Sequence, residues 1–152
     1  MDNILKRFPG FIQVGSGNKI FSQLFVILNL PCMNKVLIVD DDTDFLYILR
    51  YVFKYPNYQV KLISKAEHAL QEANNFKPDI ILLDVHLDGS DGRDLCKKLK
   101  KDQLTANIPV IMISADSNKD DAILSGANDY YSKESRFSEL LTKMNLYSPH
   151  QN

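Results

Sequence analysis

The chain predicts an α/β fold: a doubly wound sheet of parallel strands with helices on both faces. Three observations carry that expectation. Val36 to Val39 and Ile80 to Leu83 are unbroken apolar runs, the pattern of strands buried on both sides. Each run ends in acid, Asp40-Asp41-Asp42 after the first and Asp84 after the second. From Met33 onward, five strand-like segments alternate with five helix-like ones, which implies a parallel sheet covered on both faces. Right-handed crossovers then leave few topologies.

The elements follow in order. Lys35 to Val39 forms the first strand, and Thr43 to Tyr55 carries a helical stripe at Phe45, Ile48, Leu49, Val52 and Phe53, stopped by Pro56. Tyr58 to Ile63 alternates more and reads as a strand nearer an edge. Ser64-Lys65-Ala66-Glu67 has the spacing of a capping box and opens a helix to about Asn75. Pro78 leads into the third strand, Asp79 to Leu83. Gly89 and Gly92 mark a loop, and Asp91 caps a helix running to about Lys101. Pro109 precedes the fourth strand, Val110 to Ile113. A short helix near Asn118 to Leu124 ends at Gly126, Asp129 to Ser132 is a brief fifth strand, and Phe137, Leu140, Leu141 and Met144 give the last helix.

Composition narrows the function. At 152 residues the chain holds one domain with a proper core. With 18 basic and 19 acidic residues there is no overall bias toward nucleic acid or a membrane surface. Cys32 and Cys96 match no disulfide framework or metal spacing, which suggests a reducing, cytoplasmic compartment. His68, His86 and His150 are too scattered for a histidine metal cluster.

Residues 1–32 stand outside the alternating pattern, and 148–152 read as a tail. Ile20 to Leu30 is apolar but too short to span a bilayer comfortably. It lacks the flanks and cleavage site of a signal peptide. Met33 sits just before the first strand, so one reading is a misassigned start. The other is a native packing arm or a dimerisation helix that makes a homodimer.

The acids dominate the chemistry. Carboxylates at the C-terminal ends of parallel strands sit where open α/β sheets bind their ligands. Crowded acids repel unless a cation neutralises them, and oxygen-only ligands suit Mg²⁺. Asp84 is the best nucleophile candidate, because a carboxylate can form an acyl phosphate. Asp42 and Asp44 read instead as helix N-terminal acids that favour the macrodipole.

Five ordered pieces together resemble a known family: Val39-Asp40-Asp41; Leu83-Asp84; Asp91-Gly92; Pro109 to Ala115; and Gly126 to Lys133. The chain from Asn34 to about Leu146 resembles the receiver domains of two-component response regulators. That resemblance implies a flavodoxin-like sheet with strands in the order 2-1-3-4-5 and places the receiver at 33–147. It makes Asp84 the phosphoacceptor. Mg²⁺ would be held by Asp40, Asp41, Asp84 and the backbone carbonyl of His86. Lys133 and the Ser114 hydroxyl would each donate to a phosphoryl oxygen. Tyr130 takes the position of the family's switch aromatic, with Tyr131 as the alternative. His86 and Asp116, two residues beyond Asp84 and Ser114, would tune water access and phosphoryl lifetime.

Three departures from the family matter. Asp88 replaces a common proline, predicting a looser and more acidic loop after Asp84. Glu134 replaces the proline that usually follows the lysine, often through a cis bond. A non-proline cis bond costs ~3 kcal/mol, so the Lys133-Glu134 bond is trans or strained. The stretch from Ser114 to Tyr130 is about one helical turn short, predicting a shortened fourth helix.

Tyr47, Tyr51 and Tyr55 recur along the first helix. They read chiefly as caps on the core with wet hydroxyls, and otherwise as a docking face for a histidine kinase or phosphotransfer partner. Lys97, Lys98, Lys100 and Lys101 read as a solvated face rather than a nucleic-acid surface. The expectation is a stand-alone cytoplasmic signalling domain, catalysing only its own phosphorylation and dephosphorylation. Its output would pass by protein contact or phosphate relay, with no direct nucleic-acid or membrane contact. Two alternatives remain at this point. One is a haloacid-dehalogenase-like phosphatase with Asp40 as nucleophile and Asp42 as acid/base, although Asp44 stands where that motif wants Thr or Val. The other is a degenerate receiver that only docks.

Overall fold

The two apolar runs lie at the centre of the sheet, where four consecutive residues can all be buried. The computed structural model describes residues 34–54, 58–116 and 119–147. The expectations for residues 1–32 and 148–152, and for Tyr55, Pro56, Asn118, Cys32 and His150, lie outside the described residues. Strands β1 (Lys35–Val39), β2 (Gln59–Ile63), β3 (Ile80–Asp84), β6 (Val110–Ser114) and β7 (Asp129–Ser132) form one sheet. Its order is β2-β1-β3-β6-β7, all neighbours parallel. Counting only these five strands, that is the expected 2-1-3-4-5.

Helices α1 (Thr43–Val52) and α5 (Phe137–Leu146) cover one face; α2 (Ala66–Phe76), α3 (Gly92–Lys101) and α4 (Lys119–Leu124) cover the other. Alternate residues of β1 therefore enter different cores. Val36 and Ile38 meet Leu49 and Phe53 on one face, while Leu37 and Val39 meet Ala69, Leu95 and Leu99 on the other. Each fully buried aliphatic side chain contributes about 1.5–3 kcal/mol. That double coverage is why the runs show no polar alternation.

Four local expectations change. The capping box is not formed: Lys65 is the N-cap of α2 and makes no side-chain cap bond. The helix begins one residue later than the box requires, so Glu67 falls a position short of the one that reaches back. The loop after Asp84 is tight rather than loose. His86–Leu87 (β4) and Ser90–Asp91 (β5) pair as a small hairpin around Asp88-Gly89, with Gly89 at φ 67°. In α1, Leu46 rather than Ile48 completes the buried stripe, and Ile48 is 46% exposed. Lys100 is not solvated, since its ammonium reaches the carbonyl of Ile108 at 2.6 Å and Asn128 Oδ1 at 2.9 Å.

Other expectations hold. Asp91 caps α3, accepting the Arg93 amide at 2.8 Å, and Asp42 caps α1, accepting the amides of Asp44 and Phe45. Helix α4 is short at six residues, and Gly126 follows it at φ 98°, a left-handed conformation that suits glycine. Among the described residues, no helix is long and apolar enough to cross a membrane.

Candidate functional site at the C-terminal edge of the sheet

Strand ends converge the acids. Asp40 follows β1, and its amide donates to Ile63 at 3.0 Å, extending the ladder with β2 by one bond. Asp84 is the last residue of β3, the next strand over. Carboxylate oxygens of Asp40, Asp41 and Asp84 lie within 4.8 Å of one another. Asp40 is fully buried, Asp84 is 4% exposed, and Asp41 faces solvent.

Burial sets the electrostatics. Asp84 is pushed up to about 6, first by burial and then by the negative charge of Asp40, against the pull of Lys133. Burial also raises Asp40, opposed by Lys133 and by the Asp42 amide. Lys133 is pulled down by its own burial, but its contacts with the carboxylates of Asp40 and Asp84 outweigh that and hold it above its usual range. The ammonium lies 2.8 Å from Asp40 Oδ2 and 3.4 Å from Asp84 Oδ2. Asp40 Oδ1 accepts the Asp42 amide at 2.9 Å, whereas Oδ2 has that ionic contact without a well-directed hydrogen bond. A buried carboxylate oxygen so placed, beside two more acids, fits a hard divalent cation.

The Lys133 loop reaches the site without proline. The Lys133-Glu134 bond is trans. The Lys133 amide donates to the Ser114 carbonyl at 2.8 Å, and the Tyr131 hydroxyl donates to the Ser135 carbonyl at 2.8 Å. Main-chain and side-chain bonds thus do the fastening.

Ser114 ends β6, one residue past Ile113, the partner of Asp84 in register. It is 1% exposed, and its hydroxyl oxygen accepts the Asp116 amide at 3.0 Å. Ser114 also lines a cavity of about 230 Å³ with Val85, His86, Arg93, Asp116 and Ala122. The two tyrosines of β7 separate cleanly. Tyr130 packs in the core under α2, α3 and α4, and its hydroxyl donates to the Asp116 carbonyl; Tyr131 is buried in the opposite core. His86 Nε2 and Asp116 Oδ2 meet at 2.6 Å across the mouth of that cavity, both well exposed. We expect His86→Ala to change the unfolding free energy, measured by urea titration, by no more than ~0.5 kcal/mol, since an exposed pair contributes little.

Two features escaped the sequence reading. Arg93 clamps Asp91 through Nε and Nη2 and reaches Asp121 on α4 at 3.3 Å; an arginine two residues past a capping acid is its only trace in the chain. Phe45, counted as core stripe, also lies beneath Lys133. Tyr47 and Tyr51 do not cap the core. They are 75% and 73% exposed, because the inward stripe of Phe45, Leu46, Leu49 and Phe53 leaves them on the opposite side of α1.

Comparison with known proteins gives the same outline. The family model "Response regulator receiver domain" matches residues 36–145. The alkaline phosphatase synthesis transcriptional regulatory protein PhoP of Bacillus subtilis is 37% identical over 102 residues, covering 65% of this chain and 42% of that protein. The chain spans about half the length or less of the curated relatives it matches, and several of these are DNA-binding regulators. They give no support to the expectation of a stand-alone module without nucleic-acid contact. A Francisella response regulator receiver domain superposes with a TM-score of 0.69 at 30% identity, over 75% of this chain and 95% of that one. The receiver domain of a sensor histidine kinase from Pseudomonas aeruginosa PAO1, solved with a magnesium ion in its active-site cleft, shares the fold at 22% identity and a TM-score of 0.70, over 76% of this chain and 97% of that one. With both its sequence match and its strand order in agreement, this chain belongs to the response regulator receiver domain family.

Proposed function

We propose that the chain is a phosphorylation-controlled signalling domain that accepts a phosphoryl group from a phosphohistidine partner onto Asp84. The observation that carries this reading is the convergence of a buried carboxylate, two further acids and one ammonium at the C-terminal edge of one parallel sheet. An Asp84 oxygen would attack phosphorus as the P–N bond of the donor breaks, leaving the electron pair on the imidazole and forming an acyl phosphate. Asp40, Asp41, Asp84 and the His86 carbonyl would hold Mg²⁺. Bound there, the ion would supply charge neutralisation between the acids and the incoming phosphoryl oxygens.

The remaining roles fall to the chain's own groups. Lys133 would move its contact from Asp40 toward a phosphoryl oxygen, and Ser114 would donate its hydroxyl to another. Ser114 keeps its own proton to donate while its oxygen accepts the Asp116 amide, so a shift of Ser114 toward the phosphoryl group would carry that segment with it, and Tyr130, bonded to the Asp116 carbonyl, would register the change. Helix α1, with Tyr47 and Tyr51 exposed, is the proposed docking face for a histidine kinase or phosphotransfer protein in the cytoplasm. The phosphatase alternative loses its acid/base, because Asp42 is spent capping α1. A purely docking role is disfavoured by Lys133 standing within reach of both buried acids.

The test is intact mass measured after incubation with acetyl phosphate. One added phosphoryl group with Mg²⁺, absent in chelator and in Asp40→Asn, is the expected result. A protein that stays unmodified at saturating donor and Mg²⁺ would remove the reading.

A further inference from the structure

Phe45 has a neighbour that an ordinary core ring does not need. The Lys133 ammonium stands 4.7 Å from its ring centroid. Phe45 is 8% exposed, and Phe137, the first residue of α5, stacks on it at 6.4 Å and 28°. Four contacts close a circuit around the site. Asp40 Oδ1 accepts the Asp42 amide, and Asp42 Oδ1 accepts the Phe45 amide at 3.0 Å. The Phe45 ring then faces Lys133, which returns to Asp40 Oδ2.

We propose that Phe45 is a positioning residue for Lys133, its ring forming the seat that keeps the ammonium between Asp40 and Asp84. The inference rests on the phosphoacceptor reading and deepens it. Lysine is a point charge on a long, freely rotating stem, so two acids alone do not define where it sits. Asp40 is the nearer acid, and without a second restraint the ammonium would settle wholly on it. A ring face attracts the cation from a direction neither carboxylate supplies, and more strongly where water is excluded. The Lys133 side chain is only 19% exposed, so that condition is met. Phe137 follows the Lys133 loop directly, so the segment that delivers the cation also braces its seat. Leucine at position 45 would fill the core but offer no such face.

The experiment compares wild type, Phe45→Leu and Phe45→Tyr, each loaded with Mg²⁺ and phosphorylated by acetyl phosphate, with thermal unfolding followed in parallel. At saturating donor, Phe45→Leu is expected to react about tenfold more slowly, with half-saturation unchanged, and Phe45→Tyr to recover most of the rate. Proton NMR of the metal-free protein supplies a readout that mere packing would not move. The Lys133 ε-methylene signals should lie upfield in wild type and Phe45→Tyr, and return to ordinary values in Phe45→Leu. If leucine unfolds the protein, Phe45→Met, with a flexible unbranched chain that fills irregular gaps and no ring, takes its place. Wild-type rate in the ringless variant, or no recovery with tyrosine, overturns the seat while Asp84 remains labelled. Wild type that takes no label removes the phosphoacceptor reading, and this inference with it.

Discussion

Asp84→Asn is expected to abolish phosphoryl acceptance and, in metal-free buffer, to make the fold more stable at neutral pH. The amide offers no nucleophilic oxygen, so labelling should fall to background. The stability gain follows from the raised carboxyl. Burial, and secondly the charge of Asp40, push the Asp84 carboxyl up to about 6 in the folded protein from an ordinary value of 3.8. A carboxyl raised on folding disfavours the native state wherever the unfolded chain is already ionised. Below about pH 4 both states are protonated and nothing is lost; between about pH 4 and 6 the penalty grows; above that it is complete. Its full size is at most about 3 kcal/mol, reduced by solvent screening of the coupled charges. Urea unfolding in chelator should therefore show a gap favouring Asp84→Asn that widens from pH 4.5 to 7.5. Adding Mg²⁺ should stabilise wild type more than the variant and narrow the gap, because only the ionised cluster binds it well. A gap that shrinks as pH rises would contradict the account.

Gly92→Ala should damage fold and site together. A Cβ at Gly92 would lie 1.8 Å from the Asp84 carbonyl oxygen, 2.9 Å from its carbon and 3.1 Å from Val85 Cα. All three are backbone atoms, so no side chain can swing aside. The Gly92 amide donates to the Val85 carbonyl at 2.8 Å, which holds the two segments together. Alanine's helix propensity favours the substitution by about 1 kcal/mol at most. Overpacking against a fixed backbone costs about 3 kcal/mol and wins. The unfolding temperature should fall by roughly 10 °C. Because the displaced atoms carry Asp84, the folded fraction should also phosphorylate more slowly than wild type. Gly89→Ala is the control: its Cβ would meet nothing within 4 Å, so only the φ of 67° opposes it, at about 1 kcal/mol. Equal melting temperatures for Gly92→Ala and wild type would refute the clash.

Much of this was legible in the chain because burial leaves a strong trace. Apolar runs ending in acid specify both the central strands and the carboxylates at their ends, so β1, β3, Asp40 and Asp84 could be read together. The brevity of α4 showed in the spacing from Ser114 to Tyr130. What escaped depends on single-residue phase or on distant partners. The entry to α2 shifted by one residue and undid the capping box. The inward stripe of α1 took Leu46 rather than Ile48 because both neighbour the same apolar face. Lys100 looked like its solvated neighbours, but the Ile108 carbonyl eight residues on and Asn128 twenty-eight residues on supply its acceptors. Phe45 looked like core, and only the Lys133 loop, 88 positions away by residue number, shows its other contact.

The most direct test of phosphoryl transfer to Asp84 is borohydride reduction of the phosphorylated protein followed by peptide mapping. Reduction converts a phosphoaspartate to homoserine and so marks its position. The account predicts homoserine at position 84 alone, present only when Mg²⁺ accompanies the donor. Homoserine at position 40, or the same yield at 84 in chelator, would contradict it.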